Sequence, residues 1–207
     1  MTAAGFDAVL AGRSGHLVRD DGVVIPLDAG RWGAVADADD AWLLDRCSGP
    51  VVDLGCGPGR LVAALTARGI TALGVDSSSV ARAQCRRRGA PMVRRDIFDR
   101  LPGEGGWAHV LLADGNIGIG GDPVRLLARA ADLLAPGGTV LVETGGDPEE
   151  CWRGIAQATG PGGLRVRWAC VGAAALRALA PAAGLSVTAV SDPTASSRAF
   201  AELAAAG

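Results

Sequence analysis

The residues best placed to do chemistry lie in Val51-Val52-Asp53-Leu54-Gly55-Cys56-Gly57-Pro58-Gly59-Arg60. An apolar run breaks there into three glycines at alternate positions. Leu61-Val62-Ala63-Ala64-Leu65 follows with helical apolar spacing. Strand, Gly-rich turn and helix together open a nucleotide-binding βαβ unit. Glycine removes side chains that would keep a ligand off the backbone. The first turn of the following helix presents free N–H groups and a positive dipole end. A second polar site is the stretch from Ala113 to Asp122, where Asp114 and Asn116 are the polar groups on an otherwise Gly/Ile loop. Its glycines, Gly118, Gly120 and Gly121, leave room for the backbone to adapt around a ligand.

These residues need a scaffold, and the rest of the chain supplies a pattern for one. His16 to Val18 and Val23 to Ile25 flank Asp20-Asp21-Gly22 and predict a hairpin. Trp32 follows on a Gly-flanked loop. Asp37 or Asp39 caps a helix carrying Trp42, Leu43, Leu44 and Cys47. Strands are then expected at 51–54, 71–75, 92–94, 107–113 and 139–143. Helices alternate with them at about 59–68 and 79–88, and after Asp122-Pro123. Apolar strands in repeated β-α units predict a mostly parallel sheet covered on both faces. In the last third, Glu149 to Ala158 is read as a helix and Leu164 to Val171 as a strand. Gly172 to Ala183 is read as a helix interrupted by Pro181. Two final strands span 185–190 and 198–203, with a Pro/Ser loop between.

Composition narrows the function. A length of 207 residues suits one domain, and the net charge of −2 gives no basis for binding nucleic acid or an anionic membrane. Arg86 to Arg88 and Arg94-Arg95 read as solvated faces. Met1 to Ala11 lacks the basic start and apolar run of a signal peptide. The most apolar window, Ala169 to Val190, is interrupted by Arg177 and Pro181, so no membrane span is expected. The five cysteines show no metal-ligand spacing and read as reduced thiols of a cytoplasmic protein. All 20 basic residues are arginine, and there is no tyrosine, so neither Lys nor Tyr is present as base or nucleophile.

The glycine spacing decides between cofactors. A dinucleotide fold wants GxGxxG, but Arg60 holds the third glycine's place, and the pattern is GxGxG. Val52-Asp53-Leu54-Gly55-Cys56-Gly57-Pro58-Gly59 resembles the first motif of class I S-adenosylmethionine-dependent methyltransferases. The similarity continues through Asp76, then Asp96-Ile97, then Leu134-Ala135-Pro136-Gly137-Gly138 leading into Thr139 to Val142. It covers about residues 45–145 as a set of motifs.

The resemblance implies a Rossmann-like, doubly wound, seven-stranded sheet with a reversed C-terminal β-hairpin. Residues 1–49 would form an N-terminal hairpin/helix lid, 50–145 the cofactor core, and 146–207 the C-terminal strands and substrate side. It implies S-adenosyl-L-methionine on Asp53, Gly55, Cys56, Gly57, Gly59, Asp76, Ser77, Asp96, Ile97 and Asp114. Asp76 would hold the ribose hydroxyls, since a carboxylate accepts from both. Asp96 would accept from the adenine amine while Ile97 lies on the ring. Gly55, Gly57 and Gly59 would allow close approach of the amino-acid tail, and Arg60 would sit on the solvated helix face. Asp114, Asn116 and His16 are the candidate catalytic residues. His109 and Glu143 complete the short list of bases. The expected partner is a small-molecule methyl acceptor, with no metal; oligomeric state is open. Two alternatives are a protein that binds this cofactor without transferring methyl, and an NAD(P)-dependent oxidoreductase.

Overall fold

The computed structural model describes residues 4–12, 15–159, 165–192 and 198–206. Helix α1 (Ala4–Leu10) comes first. The hairpin of β1 (His16–Arg19) and β2 (Val24–Pro26) forms as expected. Trp32 lies on a short helix, α2 (Ala29–Gly33), where a loop was expected. Asp28 accepts from the Arg31 N–H and so starts that helix. Asp37 opens a 3-10 turn, Ala38–Asp40, which runs into α3 (Ala41–Leu44).

The core then alternates as the pattern predicts: β3 (Val51–Leu54), α4 (Arg60–Ala67), β4 (Ala72–Asp76), α5 (Ser79–Arg88), β5 (Met92–Arg94) and β6 (Trp107–Leu112). A 3-10 segment at Asn116–Gly121 leads to α6 (Pro123–Leu133) and β7 (Leu134–Thr144). Local signals set these boundaries. The Ser78 hydroxyl caps α5 by accepting from Val80 and Ala81 N–H, and Gly89 closes it in the left-handed region. Asp122 caps α6, with Pro123 in its first turn.

Strands β8 (Cys151–Ala158) and β9 (Arg165–Val171) follow, then α7 (Ala173–Leu179), a 3-10 turn at Ala180–Ala183, β10 (Leu185–Val190) and β11 (Ala199–Ala205). Residues 151–158 are therefore a strand and not the expected helix. Leu164 of the strand expected at 164–171, and the Pro/Ser loop at 193–197, lie outside the described residues.

The main sheet has seven strands in the order β10-β11-β7-β6-β3-β4-β5. The five strands from β3 to β7 are parallel. Strand β11 runs against β7, and β10 against β11, which gives the reversed final hairpin. Every residue of β3 is buried, as a central parallel strand covered on both faces requires. One apolar layer joins Leu43, Leu61, Leu65 and Phe200; the other joins Leu112, Leu126, Leu127 and Leu133. The chain leaves β3 toward β4 and β5, then returns to β6 on β3's other side. That reversal opens a crevice at the carboxyl ends of β3 and β6, where open α/β sheets bind ligands.

A second, antiparallel sheet has the order β2-β1-β8-β9. It joins strands from residues 16–26 to strands from residues 151–171 and stands over the loop after β6. Gly118 permits this contact, because a Cβ there would lie 2.3 Å from the Ala169 carbonyl and 2.6 Å from the Trp168 ring. Gly121 is similarly crowded by Arg167 and Trp168. These two glycines serve packing between loop and strand, and not adaptation to a ligand. Arg86 and Arg87 are exposed as expected. Arg88 is half-buried and donates to the Gly33 and Ala34 carbonyls at the end of α2. Among the described residues, no helix is long and apolar enough to cross a membrane.

Candidate active site

A cleft of about 620 Å³ opens at the crevice between β3 and β6. Its floor is the Gly-rich turn. The Gly55 and Cys56 N–H groups both donate to the Val75 carbonyl, which pins the turn to β4. The three glycines all take positive φ but do different work. A Cβ on Gly55 would lie 2.7 Å from the Asn116 amide nitrogen, so this glycine makes room for that side chain. A Cβ on Gly59 would lie 2.8 Å from both Ala90 and Cys85. Gly59 therefore serves helix packing; it does not line the cleft, and its expected role in close ligand approach is corrected. Gly57 is the open one: only Leu10 comes near, at 3.8 Å. Its backbone is where a ligand can lie close.

The acids gather around this cradle. Asp53, Asp76, Ser77, Asp96, Ile97 and Asp114 all line the cleft, together with Cys56 and Asn116. Asp76 accepts from Gly57 N–H at 3.0 Å and Ser78 N–H at 2.8 Å, so its carboxylate is fixed in place. Burial raises its pKa, and those backbone donors oppose the shift. Asp96 accepts from Phe98 N–H at 3.0 Å, which locks the turn that presents Ile97. Asp53 is only 3% exposed. Burial first, then the neighbouring Asp114 charge, pushes its pKa up to about 7. Such a floor repels a pyrophosphate and welcomes a cation. A nucleoside bearing a sulfonium and an ammonium fits it better than a dinucleotide does.

Arg60 overturns its expected place. It is 4% exposed, and its guanidinium is held by Asp40 and Asp114, the latter at 2.6 Å. It belongs to a buried cluster of three arginines and three acids. Arg31 bonds Asp40 at 2.6 Å, and Arg198 reaches Asp40 at 2.9 Å and Asp114 at 3.5 Å. Arg198 Nε also bonds Glu143 at 2.7 Å. Burial alone would raise Asp40; the guanidinium bonds of Arg60 and Arg198 reverse that and hold it below the usual carboxylate range. Both terminal nitrogens of Arg60 are engaged by Asp40 and Asp114, and among the described residues its Nε is buried without a partner.

The candidate catalytic residues divide accordingly. Asp114 has a left-handed backbone, φ +52°, uncommon outside glycine. Its N–H donates to Glu143 and its carboxylate is engaged by Arg60 and Arg198. The Asn116 amide donates to the Leu54 and Gly55 carbonyls, both at 2.9 Å. It ties the acceptor-side loop to the cradle. His16 is not among the residues lining the cleft; it is on β1, where its carbonyl accepts from Thr159 N–H. His109 is in register with Val51 and Thr139, at the opposite end of the sheet. Its Nε2 accepts from Ser48 N–H and Nδ1 lies 3.0 Å from the Thr139 hydroxyl. It is a buried structural histidine, with its pKa lowered by burial. Glu143 is tied to Arg198 and the Asp114 N–H.

The far wall of the cleft draws on the 1–49 segment expected as a lid and on residues the sequence did not single out. Phe6 of α1, Leu27, Trp32, Ile119, Val166 and Trp168 line it. The Phe6 and Trp168 rings are 5.4 Å apart, so α1 meets β9 across the opening. Gln84 holds α1 from below through the Leu10 carbonyl, and Ser78 bonds Asp7. The covering element is thus α1 with Trp32, while the hairpin expected as a lid is built into the second sheet.

Sheet order, crevice and Gly-rich cradle define a Rossmann-like fold. Residues 51–138 match a family model described as a methyltransferase domain. The chain is 34% identical over 97 residues to a trans-aconitate 2-methyltransferase of Paracidovorax citrulli, covering 45% of this chain and 37% of that one. It is 35% identical over 102 residues to a ubiquinone biosynthesis O-methyltransferase of Methylococcus capsulatus, covering 45% and 42%. It thus spans about two fifths of the length of these curated relatives. A S-adenosylmethionine-dependent methyltransferase from Bacteroides fragilis, solved with S-adenosyl-L-homocysteine, superposes with a TM-score of 0.78. That similarity, at 16% identity, covers 100% of this chain and 94% of the other. The chain thus has the fold of that methyltransferase, and its residues 51–138 are similar to methyltransferase domains.

Proposed function

We propose that the protein transfers the methyl group of S-adenosyl-L-methionine to a small-molecule acceptor. The observation that carries this is the acid-lined cleft over the open face of Gly57. Asp76 holds the ribose hydroxyls, Asp96 and Ile97 the adenine, and Asp53 the cationic amino-acid end. The cofactor supplies an electrophilic methyl on sulfur. The chain's own task is to align the acceptor and exclude water. Asn116 does this by fixing the acceptor-side loop to the cradle, and α1 with Trp32 and Trp168 by covering the opening.

Asp114 acts here through position and not as a proton acceptor, because Arg60 and Arg198 occupy its carboxylate. No histidine lines the cleft, and the chain has no lysine or tyrosine. The acceptor atom therefore arrives with its electron pair free, as in a neutral amine or a carboxylate. The name of one relative specifies trans-aconitate, a carboxylate, which agrees with this chemistry.

Calorimetry with S-adenosylhomocysteine tests the cofactor, and radiolabelled transfer into amines, carboxylic acids and phenols tests the acceptor. Binding of S-adenosylhomocysteine with transfer to an amine or carboxylate is expected. Tight NAD binding without response to S-adenosylhomocysteine overturns the assignment, and transfer confined to phenols overturns the base-free site. The Asp76→Ala variant is expected to bind S-adenosylhomocysteine about 100-fold more weakly, since charge-assisted hydrogen bonds to two hydroxyls are lost. Unchanged affinity would move the ribose elsewhere.

A further inference from the structure

Cys56 and Cys85 come from different elements, the turn after β3 and helix α5, and meet over one backbone oxygen. The Cys85 thiol donates to the Gly57 carbonyl at 3.1 Å, and Cys56 Sγ lies 3.7 Å from the same atom. Both sulfurs thus lie against the same carbonyl oxygen. Their neighbours leave them no other place. A Cβ on Gly74 would lie 2.5 Å from Cys56 Sγ, and one on Gly59 would lie 2.8 Å from Cys85 Sγ. Both are free thiols. Access differs between them: Cys56 lines the cleft, while Cys85 is buried behind it. The neighbouring Cys85 thiol, together with burial, pushes Cys56 well above the ordinary thiol range, and the Cys56 neighbour brings Cys85 below it.

We propose that Cys56 and Cys85 are a site of reversible oxidation, closed to a disulfide by peroxides that enter through the cleft. Cys56 sulfur attacks one peroxide oxygen, and the Cys56 thiol proton goes to the departing oxygen. The O–O bond breaks, leaving a sulfenic acid on Cys56 and, with hydrogen peroxide, one water after protonation. Cys85 sulfur then attacks the sulfenic sulfur, and a second water leaves. Two thiols have lost two electrons and two protons, and the peroxide has been reduced to two waters. The new bond takes both thiol donors from the Gly57 carbonyl and draws the turn toward α5. Gly57 N–H is the group that Asp76 holds, so the cradle and the ribose acid shift together. A ligand over Gly57 covers Cys56 and protects the pair. The loss-of-binding part of this proposal rests on the cradle being the cofactor's seat.

The full chain is treated with hydrogen peroxide with and without S-adenosylhomocysteine, mapped by mass spectrometry, and titrated with S-adenosylhomocysteine. A Cys56–Cys85 cross-link is expected, reversed by dithiothreitol and suppressed by the ligand. The cross-linked protein should bind about tenfold more weakly or worse, because small displacements of a binding group carry large losses. The Cys85→Ser and Cys56→Ser variants, each compared with itself before and after peroxide, should show no dithiothreitol-reversible change. Absence of the cross-link under conditions that oxidise the exposed Cys151 overturns the proposal. So does a cross-link that leaves affinity unchanged. Reduced protein that fails to bind S-adenosylhomocysteine overturns the cofactor assignment instead, and the cross-link map still decides whether the disulfide forms.

Discussion

Replacing Asp40 by alanine should lower the unfolding free energy by about 3–5 kcal/mol, the usual cost of removing one partner from a buried charge network. Asp40 has no exposure, and three guanidiniums converge on it, from Arg31, Arg60 and Arg198. The variant leaves them facing one another at the edge of the cleft, with Asp114 and Glu143 too few to balance them. Such repulsion is little relieved by salt, because buried charges are poorly screened. Urea unfolding of the two proteins measures the difference, read at the midpoint with unchanged slope. A loss below about 1 kcal/mol, the worth of a solvent-exposed pair, would mean that water reaches the cluster. The double replacement of Asp40 and Arg60 by apolar residues should cost less than Asp40→Ala alone, since one of the stranded charges goes with its partner.

The second large effect is a pH dependence centred on Asp53. Its pKa is raised from 3.8 to about 7 in the folded chain. A carboxyl raised by folding keeps its proton in the native state after the unfolded chain has lost it. Its contribution is fully present below the unfolded pKa and is lost as pH rises through the folded value. Across that window the loss is on the order of 4 kcal/mol, and above it this group adds no further slope. Unfolding measured in urea from pH 4 to pH 9 should therefore show wild type losing stability relative to Asp53→Asn as pH rises. Comparison at each pH cancels the opposite trend from Asp40, whose pKa is depressed. A flat difference would place Asp53 in contact with water. The same proton links to ligand binding. A cation seated beside Asp53 favours its charged form, so S-adenosylhomocysteine should release a proton on binding near pH 6 and none near pH 9. Calorimetry in buffers of different ionisation enthalpy reads this directly.

Much of this site was visible in the sequence because its signals are local. The Gly55-Cys56-Gly57 turn, the acids closing β3 and β4, and the caps at Ser78 and Asp122 each depend on neighbours a few residues away. The failures share the opposite property. Arg60 looked solvated because its partners, Asp40 and Asp114, are distant in sequence and Arg198 is farther still. Gly59 looked like part of the ligand cradle until Cys85 and Ala90 were seen against it. The stretch from Asp147 to Ala158 carries acids and a proline that imitate a helix start. It becomes β8 because β1 and β9 pair with it on either side, which no local pattern announces. The aromatic wall pairs Phe6 and Trp32, from the segment expected as a lid, with Trp168, which was unreadable for the same reason. That wall is assembled from the second sheet and two short N-terminal helices.

The buried ion cluster also bears on how the chain can be divided. Its six members come from α2, the turn before α3, the start of α4, the loop after β6, the end of β7 and the start of β11. A fragment cut to residues 51–138, the part most similar to known methyltransferases, keeps Arg60 and Asp114 and loses the other four. It would also leave the sheet without β10 and β11. The recognisable motor of the protein is thus not a module that can be lifted out or transplanted by itself, and recombination at its borders would strand charge inside the joint.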